Sequence, residues 1–301
     1  MTTVQLPPGL SLVDEPLPAI QVDTPAARAT VTLQGAHLTH WQPAGAHPVL
    51  FLSPDSQWRE GAPIRGGIPV CFPWFGGGRT DLRPTAGHSP SPAALDPSHG
   101  WARLTDWNLT DAAVAKDGTA RLVFELPGSA FTGSPEAGHF PDDALARFTM
   151  RIGAELHLEF EVHAGNTLVD VETALHTYFA VSDITAVRIR GLANTSYWDK
   201  LDKSVHHQMG DITFTGETDR VHDWDGPVHI VDTDRSIEIT STGANSVVVW
   251  NPWILKSRAM PDFGDEDYRH MVCVESGNVL QQAIVVPPGQ SHLMSVTYRL
   301  R

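Results

Sequence analysis

The ten residues AELHLEFEVH, Ala154 to His163, alternate apolar and polar side chains from end to end. Successive residues of an extended chain point to opposite faces. Leu156, Leu158, Phe160 and Val162 therefore share one side, and Glu155, His157, Glu159 and Glu161 the other. One dry face and one wet face mark an antiparallel strand lying against a core.

The same period recurs outward from this stretch, in ARATVTLQGAHLTHWQP, ARLVFELP, VHIVDTDRSIEITS, NSVVVWNPW and MVCVESGNVLQQAIVVPPGQSHLMSVTYRL. Long helical periodicity is nearly absent, and no repeat of fixed period appears. Two stretches rich in Gly, Pro and Ser, Gly76–Gly100 and Pro127–Asp143, read as long loops rather than linkers, because strand patterning resumes unchanged on either side. The expected fold is all-β: one large antiparallel β-sandwich forming a single domain over residues 1–301. A chain of 301 residues with 41% apolar and 19% charged residues, 25 Gly and 23 Pro suits such a turn-rich globular unit.

The formal net charge of −14 opposes general binding to nucleic acid or to an anionic membrane, since both need a basic face. It leaves a small anionic ligand open, because screening confines exposed charge effects to about 8 Å and a few local arginines outweigh a distant acidic surface. Cys71 and Cys273 both sit in apolar strand-like runs and read as buried free thiols rather than a disulfide. With no basic segment leading into an apolar one at the N-terminus and no run approaching eighteen apolar residues, the expected setting is cytoplasmic. No feature specifies an oligomer, and a monomer is the default expectation.

Three places invite chemistry. In LVDVETALHTYFAV, Asp170, Glu172, Ala174, His176, Tyr178 and Ala180 share a face too polar for a plain core. His176 there is either a hydrogen-bonded structural histidine, the commoner role on such a strand, or an imidazole exchanging protons in a cleft. In HMVCVESGNVL, Glu275 falls at an expected strand end before a Ser-Gly turn, where it is either an exposed turn residue or a carboxylate aimed into a cleft with a raised pKa. In IRGGIPVCFPWFGGG (Ile64–Gly78) and SHGWAR (Ser98–Arg103), Phe72, Trp74, Phe75 and Trp101 offer flat walls for a sugar ring. Arg65 and Arg103 either grip a phosphate by forked hydrogen bonds or pair with some of the 35 acidic residues.

Fifteen histidines raise the question of a metal, but no HExxH, no CxxC and no paired HxH beside a carboxylate occurs. His206 and His207 are adjacent, so a strand would point them apart. No glycine-rich nucleotide loop opens a βαβ unit. Neither metal nor cofactor is expected.

Seven motifs in one order, IRGGIPVCFPWFG, HGWAR, LHTYFAVSDI, GLANTSYWDK, VWNPW, MPDFGDEDYRHMVCVESGNV and VPPGQSHLMSVTYRL, resemble the D-hexose-6-phosphate mutarotases, or glucose-6-phosphate 1-epimerases. These belong to the aldose 1-epimerase group with its galactose mutarotase-like β-supersandwich. The resemblance runs from about Gly35 to the C-terminus. It implies interconversion of the anomers of a hexose 6-phosphate without cofactor or metal. Glu275 would take the proton of the anomeric hydroxyl and His176 would protonate the ring oxygen. By the same resemblance His99 touches a sugar hydroxyl, Arg65 and Arg103 hold the 6-phosphate, and Asp199 binds ring hydroxyls, with Trp74 and Phe75 against the sugar. Ser98 stands where relatives often carry Gln. A non-catalytic carbohydrate-binding sandwich and a mutarotase for unphosphorylated aldoses are the competing expectations. Which hexose is preferred is left open among glucose, galactose and mannose.

Overall fold

The alternating stretch forms the strand Leu156–His163, with its even-numbered side chains inside and its odd-numbered ones at or near the surface. Leu156, Leu158, Phe160 and Val162 are each at most 1% exposed. On the wet side Arg147 reaches both Glu125 at 2.9 Å and Glu161 at 3.1 Å across the neighbouring strands. Pairs this exposed contribute about 0–1 kcal/mol each, so the dry face holds the sheet in place. The computed structural model describes residues 4–78, 94–134 and 137–301.

Two eight-stranded antiparallel sheets carry most of the chain, joined by a four-stranded and a two-stranded sheet. One large sheet runs in the order Arg188–Arg190, Val228–Val231, Ser236–Thr242, Ser291–Leu300, Leu156–His163, Leu145–Ile152, Ala120–Pro127, Asn108–Val114. The other runs Ser204–His207, Ser196–Asp199, Thr218–Asp223, Ser246–Asn251, Met271–Asn278, Thr173–Leu175, Val70–Cys71, with Tyr178–Ala180 also paired to Met271–Asn278. A large apolar cluster draws residues from both, including Phe148 and Phe160 of the first and Val249 and Val274 of the second. The all-β antiparallel expectation holds. Among the described residues the one α-helix is Trp253–Ala259, seven residues long, and no helix is long and apolar enough to cross a membrane. Both cysteines are free and buried.

Two local expectations differ from the structure. The run LVDVETALHTYFAV is not one half-wet strand but three short ones. Val169–Val171 pairs with Ile284–Val286, while Thr173–Leu175 and Tyr178–Ala180 join Met271–Asn278. The chain leaves one sheet for another at Glu172, and both faces are covered there: Glu172 is 1% and His176 9% exposed. The polar face is therefore buried polar, which demands partners or a function. Glu275 likewise lies inside the strand Met271–Asn278, all of it buried, and Ser276 and Gly277 continue the ladder opposite Leu175 and Ala174. Alternation misled here because a strand covered on both faces loses its wet side.

The long loop from Gly76 to Gly100 falls largely outside the described residues. In Pro127–Asp143 the loop is anchored by Phe131 and Phe140, 5% and 0% exposed.

Candidate active site

Register brings the two candidate proton carriers together. Leu175 pairs with Ser276 and Tyr178 with Cys273, so His176 falls opposite Glu275 on neighbouring strands with both side chains on one face. His176 Nδ1 lies 3.4 Å from Glu275 Oε1. They stand side by side in one sheet, on adjacent strands. The reason is that the 98 intervening residues return the chain to the adjacent position in the same sheet.

The pair opens into a cavity of about 310 Å³. Arg65, Phe75, His99, His176 and Glu275, all named from the sequence, line it. Arg65 is placed by the Gly66–Gly67 turn, whose φ values of 121° and 63° suit glycine. A Cβ on Gly66 would stand 2.5 Å from the Phe51 carbonyl oxygen, and one on Gly67 2.4 Å from that of Leu38. The guanidinium bonds Asp262 Oδ2 through Nε at 3.2 Å and Nη2 at 3.0 Å, and the Tyr178 hydroxyl through Nη1 at 3.1 Å. Tyr178 in turn stacks on His176, with centroids 4.8 Å apart and planes 10° from parallel, and Trp250 closes at 81° to the imidazole.

His99 sits at φ 65°. Its Nδ1 accepts the backbone N–H of Gly76 at 3.2 Å and lies 3.2 Å from Cys71 Sγ. An accepting Nδ1 leaves the ring proton on Nε2. Burial, and next the charge of Arg103, hold the His99 imidazole well below its usual range, so it is neutral.

Three expected site residues lie elsewhere. Trp74 is 2% exposed and packed away, its indole N–H donating to the Pro97 carbonyl at 2.9 Å and its ring meeting Trp101 at 4.6 Å. Its neighbour Phe75 takes the cavity wall, edge-on to His99 at 5.0 Å. Arg103 does not line the cavity; its Nη2 donates to the Ser98 carbonyl at 2.7 Å and its charge bears on the site from behind Ser98 and His99. Asp199 turns to Arg220, 3.7 Å away, while the next residue, Lys200, faces the cavity. Of the named pair Trp74 and Phe75 only Phe75 reaches the cavity, and at Asp199 it is the following residue, Lys200, that does, because successive residues of an extended chain face opposite ways.

Sequence reasoning missed Lys200, Asp219, Trp250, Lys256 and Met260, all of which line the cavity. VWNPW and GLANTSYWDK contained Trp250 and Lys200, but only the fold shows which side chain of each motif turns inward. Lys200 Nζ lies 4.8 Å above the Phe75 ring and 3.8 Å from Asp219. Lys256, on the helix Trp253–Ala259, pairs with Glu217 at 3.0 Å. An acidic protein thus gathers Arg65, Lys200 and Lys256 around one hollow.

The environment separates the two proton carriers. Burial, then the positive charges of Arg65 and Arg103, push His176 well below its usual pKa. Burial and the nearby Asp219 push Glu275 well above the carboxylate range, with Lys200 acting against them. Between those limits the pair holds one proton, and it titrates as a unit. His176, Cys273 and Glu275 also offer donor atoms within 4.8 Å of one another, the one such group among the described residues.

Comparison with known proteins gives this arrangement its class. The aldose 1-epimerase family profile matches residues 18–299, and the chain belongs to that family. It is an isomerase of the aldose 1-epimerase, or mutarotase, kind. A protein of Escherichia coli K12 named "Putative glucose-6-phosphate 1-epimerase" is 35% identical over 96% of this chain and 93% of its own. One of the same name from Cenchrus ciliaris is 31% identical over 95% of this chain and 86% of its own. The crystal structure of a "putative mutarotase" from Salmonella typhimurium superposes with a TM-score of 0.84 at 30% identity, covering 100% of this chain and 96% of that one.

Proposed function

We infer that the protein interconverts the α and β anomers of a hexose 6-phosphate, with Glu275 as base and His176 as acid. The observation that carries this reading is the His176–Glu275 pair, 3.4 Å apart, at the floor of a cavity lined by three cations. At about 310 Å³ the cavity lies at the small end of the range for ligand sites, suited to one sugar ring with one substituent.

The covalent order of the substrate matches the order of charges. In a hexose 6-phosphate the ring oxygen lies between C5, which bears the phosphorylated carbon, and C1, which bears the anomeric hydroxyl. Arg65 bears on His176, while Lys200 and Asp219 bear on Glu275. A sugar whose ring oxygen faces His176 thus sends its phosphate toward Arg65, with Arg103 adding charge from behind. Its anomeric hydroxyl meets Glu275, and the adjoining hydroxyls meet Asp219 and the Nε2–H of His99. Phe75 and Trp250 supply the walls.

Glu275 takes the proton from the anomeric hydroxyl as the bond between C1 and the ring oxygen breaks, and His176 gives its proton to that oxygen. The open aldehyde turns about C1–C2. Attack of the C5 hydroxyl on the other face of C1 then returns one proton to His176 while Glu275 gives one back to the new hydroxyl. Each positioned acid or base contributes about 10²–10⁴-fold. The phosphate dianion also offsets the positive charges that, after burial, hold His176 neutral, favouring the imidazolium that the opening step needs.

The test is exchange between anomers of glucose 6-phosphate, galactose 6-phosphate and the free hexoses, followed by NMR. Faster exchange of a phosphorylated sugar, lost in His176→Asn, supports the reading. Equal acceleration of free and phosphorylated sugars would leave an aldose 1-epimerase without phosphate preference.

A further inference from the structure

Cys273 precedes Glu275 by two residues on one strand, so it shares the face of the proton-carrying pair, and it is 0% exposed. The imidazole of His176, the thiol of Cys273 and the carboxyl of Glu275 place one donor atom each within 4.8 Å of the others. A tetrahedral ion bound at about 2.0–2.1 Å to nitrogen and oxygen sets those two atoms about 3.3 Å apart. His176 Nδ1 and Glu275 Oε1 are already 3.4 Å apart. Only the sulfur has to close in, by an ångström or so on the longer zinc–sulfur bond of about 2.3 Å.

A second observation points the same way. His176 Nδ1 and Glu275 Oε2 are buried and lack a hydrogen-bond partner among the described residues. A cation would satisfy them without breaking an existing bond, whereas most buried polar atoms are already engaged. The mixed nitrogen, sulfur and oxygen set selects a borderline-soft ion such as Zn²⁺ or Co²⁺ over Mg²⁺ or Ca²⁺, and two of its members, His176 and Glu275, also line the cavity.

We propose that His176, Cys273 and Glu275 form a zinc-binding site that blocks the sugar site instead of serving it. On binding, two protons leave to solvent, one from the Cys273 thiol as the sulfur–metal bond forms and one from the His176–Glu275 pair, so that Glu275 binds as carboxylate and His176 as neutral imidazole. An ion seated there occupies the lone pairs that ring opening requires, so it competes with sugar. The inhibitory role rests on the proposed reaction; the metal site does not.

The experiment titrates the full chain with Co²⁺ and then displaces it with Zn²⁺. A thiolate-to-cobalt charge-transfer band is expected, absent in Cys273→Ala, with zinc affinity lowered at least about tenfold in that variant. Circular dichroism confirms its fold, and Cys273→Ser gives a second check that retains a polar atom. In the anomer-exchange assay, zinc inhibition should be relieved by more sugar phosphate. Cys273→Ala should keep its basal rate and need about tenfold more zinc for the same inhibition. No cobalt–thiolate band, or unchanged zinc affinity in Cys273→Ala, overturns the site. A band in a protein that accelerates no anomer exchange supports the site while removing the reaction, so the two failures are distinguishable.

Discussion

Replacing Glu275 by Gln removes the proposed base and keeps the shape of the side chain. A positioned general base contributes about 10²–10⁴-fold, or about 3–5 kcal/mol of barrier at about 1.4 kcal/mol per tenfold. The only other carboxylate among the described cavity residues, Asp219, pairs with Lys200 at 3.8 Å and does not take over the role. Anomer exchange should therefore fall at least about 100-fold. Stability should move the other way or not at all. Glu275 is 1% exposed and its Oε2 has no hydrogen-bond partner among the described residues, so charging it in the fold is costly and a neutral amide avoids that cost. NMR exchange spectroscopy on an anomeric mixture gives the rate, and thermal unfolding gives the midpoint. Because acid and base act as a unit, His176→Asn combined with Glu275→Gln should be little slower than either alone. A folded Glu275→Gln enzyme within about threefold of the parent rate would refute the reasoning.

Arg65→Gln, which keeps an amide donor for Asp262, should raise KM for a hexose 6-phosphate by about tenfold or more, with a smaller change for the free hexose, since a unit charge about 5 Å from a phosphate oxygen is worth about 3 kcal/mol at most in a site of effective dielectric near 20; equal changes for both sugars would remove Arg65 from phosphate recognition. Asp219→Asn should slow exchange strongly, whereas Asp199→Asn, a change outside the cavity, should alter it less than about threefold; the reverse order would restore the sequence-based assignment of Asp199. Stability should also fall in mild acid. Burial pushes His37 from 6.5 to about 4 and His222 from 6.5 to about 3, so below pH 6.5 the unfolded chain binds protons that the folded one refuses. The contribution is complete above that pH and is lost as pH falls toward 4, by up to about 1.4 kcal/mol per pH unit for each histidine. Urea unfolding at pH 7.5 and pH 5 measures it, and a flat profile would contradict the neutral burial of both rings.

The wet-faced strand Leu156–His163 was legible because water on one side imposes the period of two. The strands that build the site were not, for a related reason. Met271–Asn278 is buried along its whole length, so its sequence carries no alternation to fix an end, and Glu275 was placed at a strand end instead of inside the strand. Asp199 was named instead of Lys200, and Trp74 alongside Phe75, because a motif names a segment, while a one-residue phase decides which side chain enters the cavity. Lys256 had no local signal: it lies on the short helix Trp253–Ala259 of an all-β chain, and its place at the cavity depends on the turn of Pro252 and Trp253 that follows strand Ser246–Asn251.

Register explains how such a site arises from residues unremarkable in isolation. Once Leu175 meets Ser276 and Tyr178 meets Cys273, the meeting of His176 with Glu275 is fixed by the backbone ladder, not by attraction between the two side chains. The ladder holds a carboxyl and an imidazole at 3.4 Å without a formed hydrogen bond between them. Their buried lone pairs and shared proton are then available to a ligand that enters the cavity. The same strands must therefore resist sliding, because a shift of one residue would turn Glu275 to the opposite face. Proton transfer in this fold thus depends on strand pairing as directly as it depends on the two residues that carry the protons.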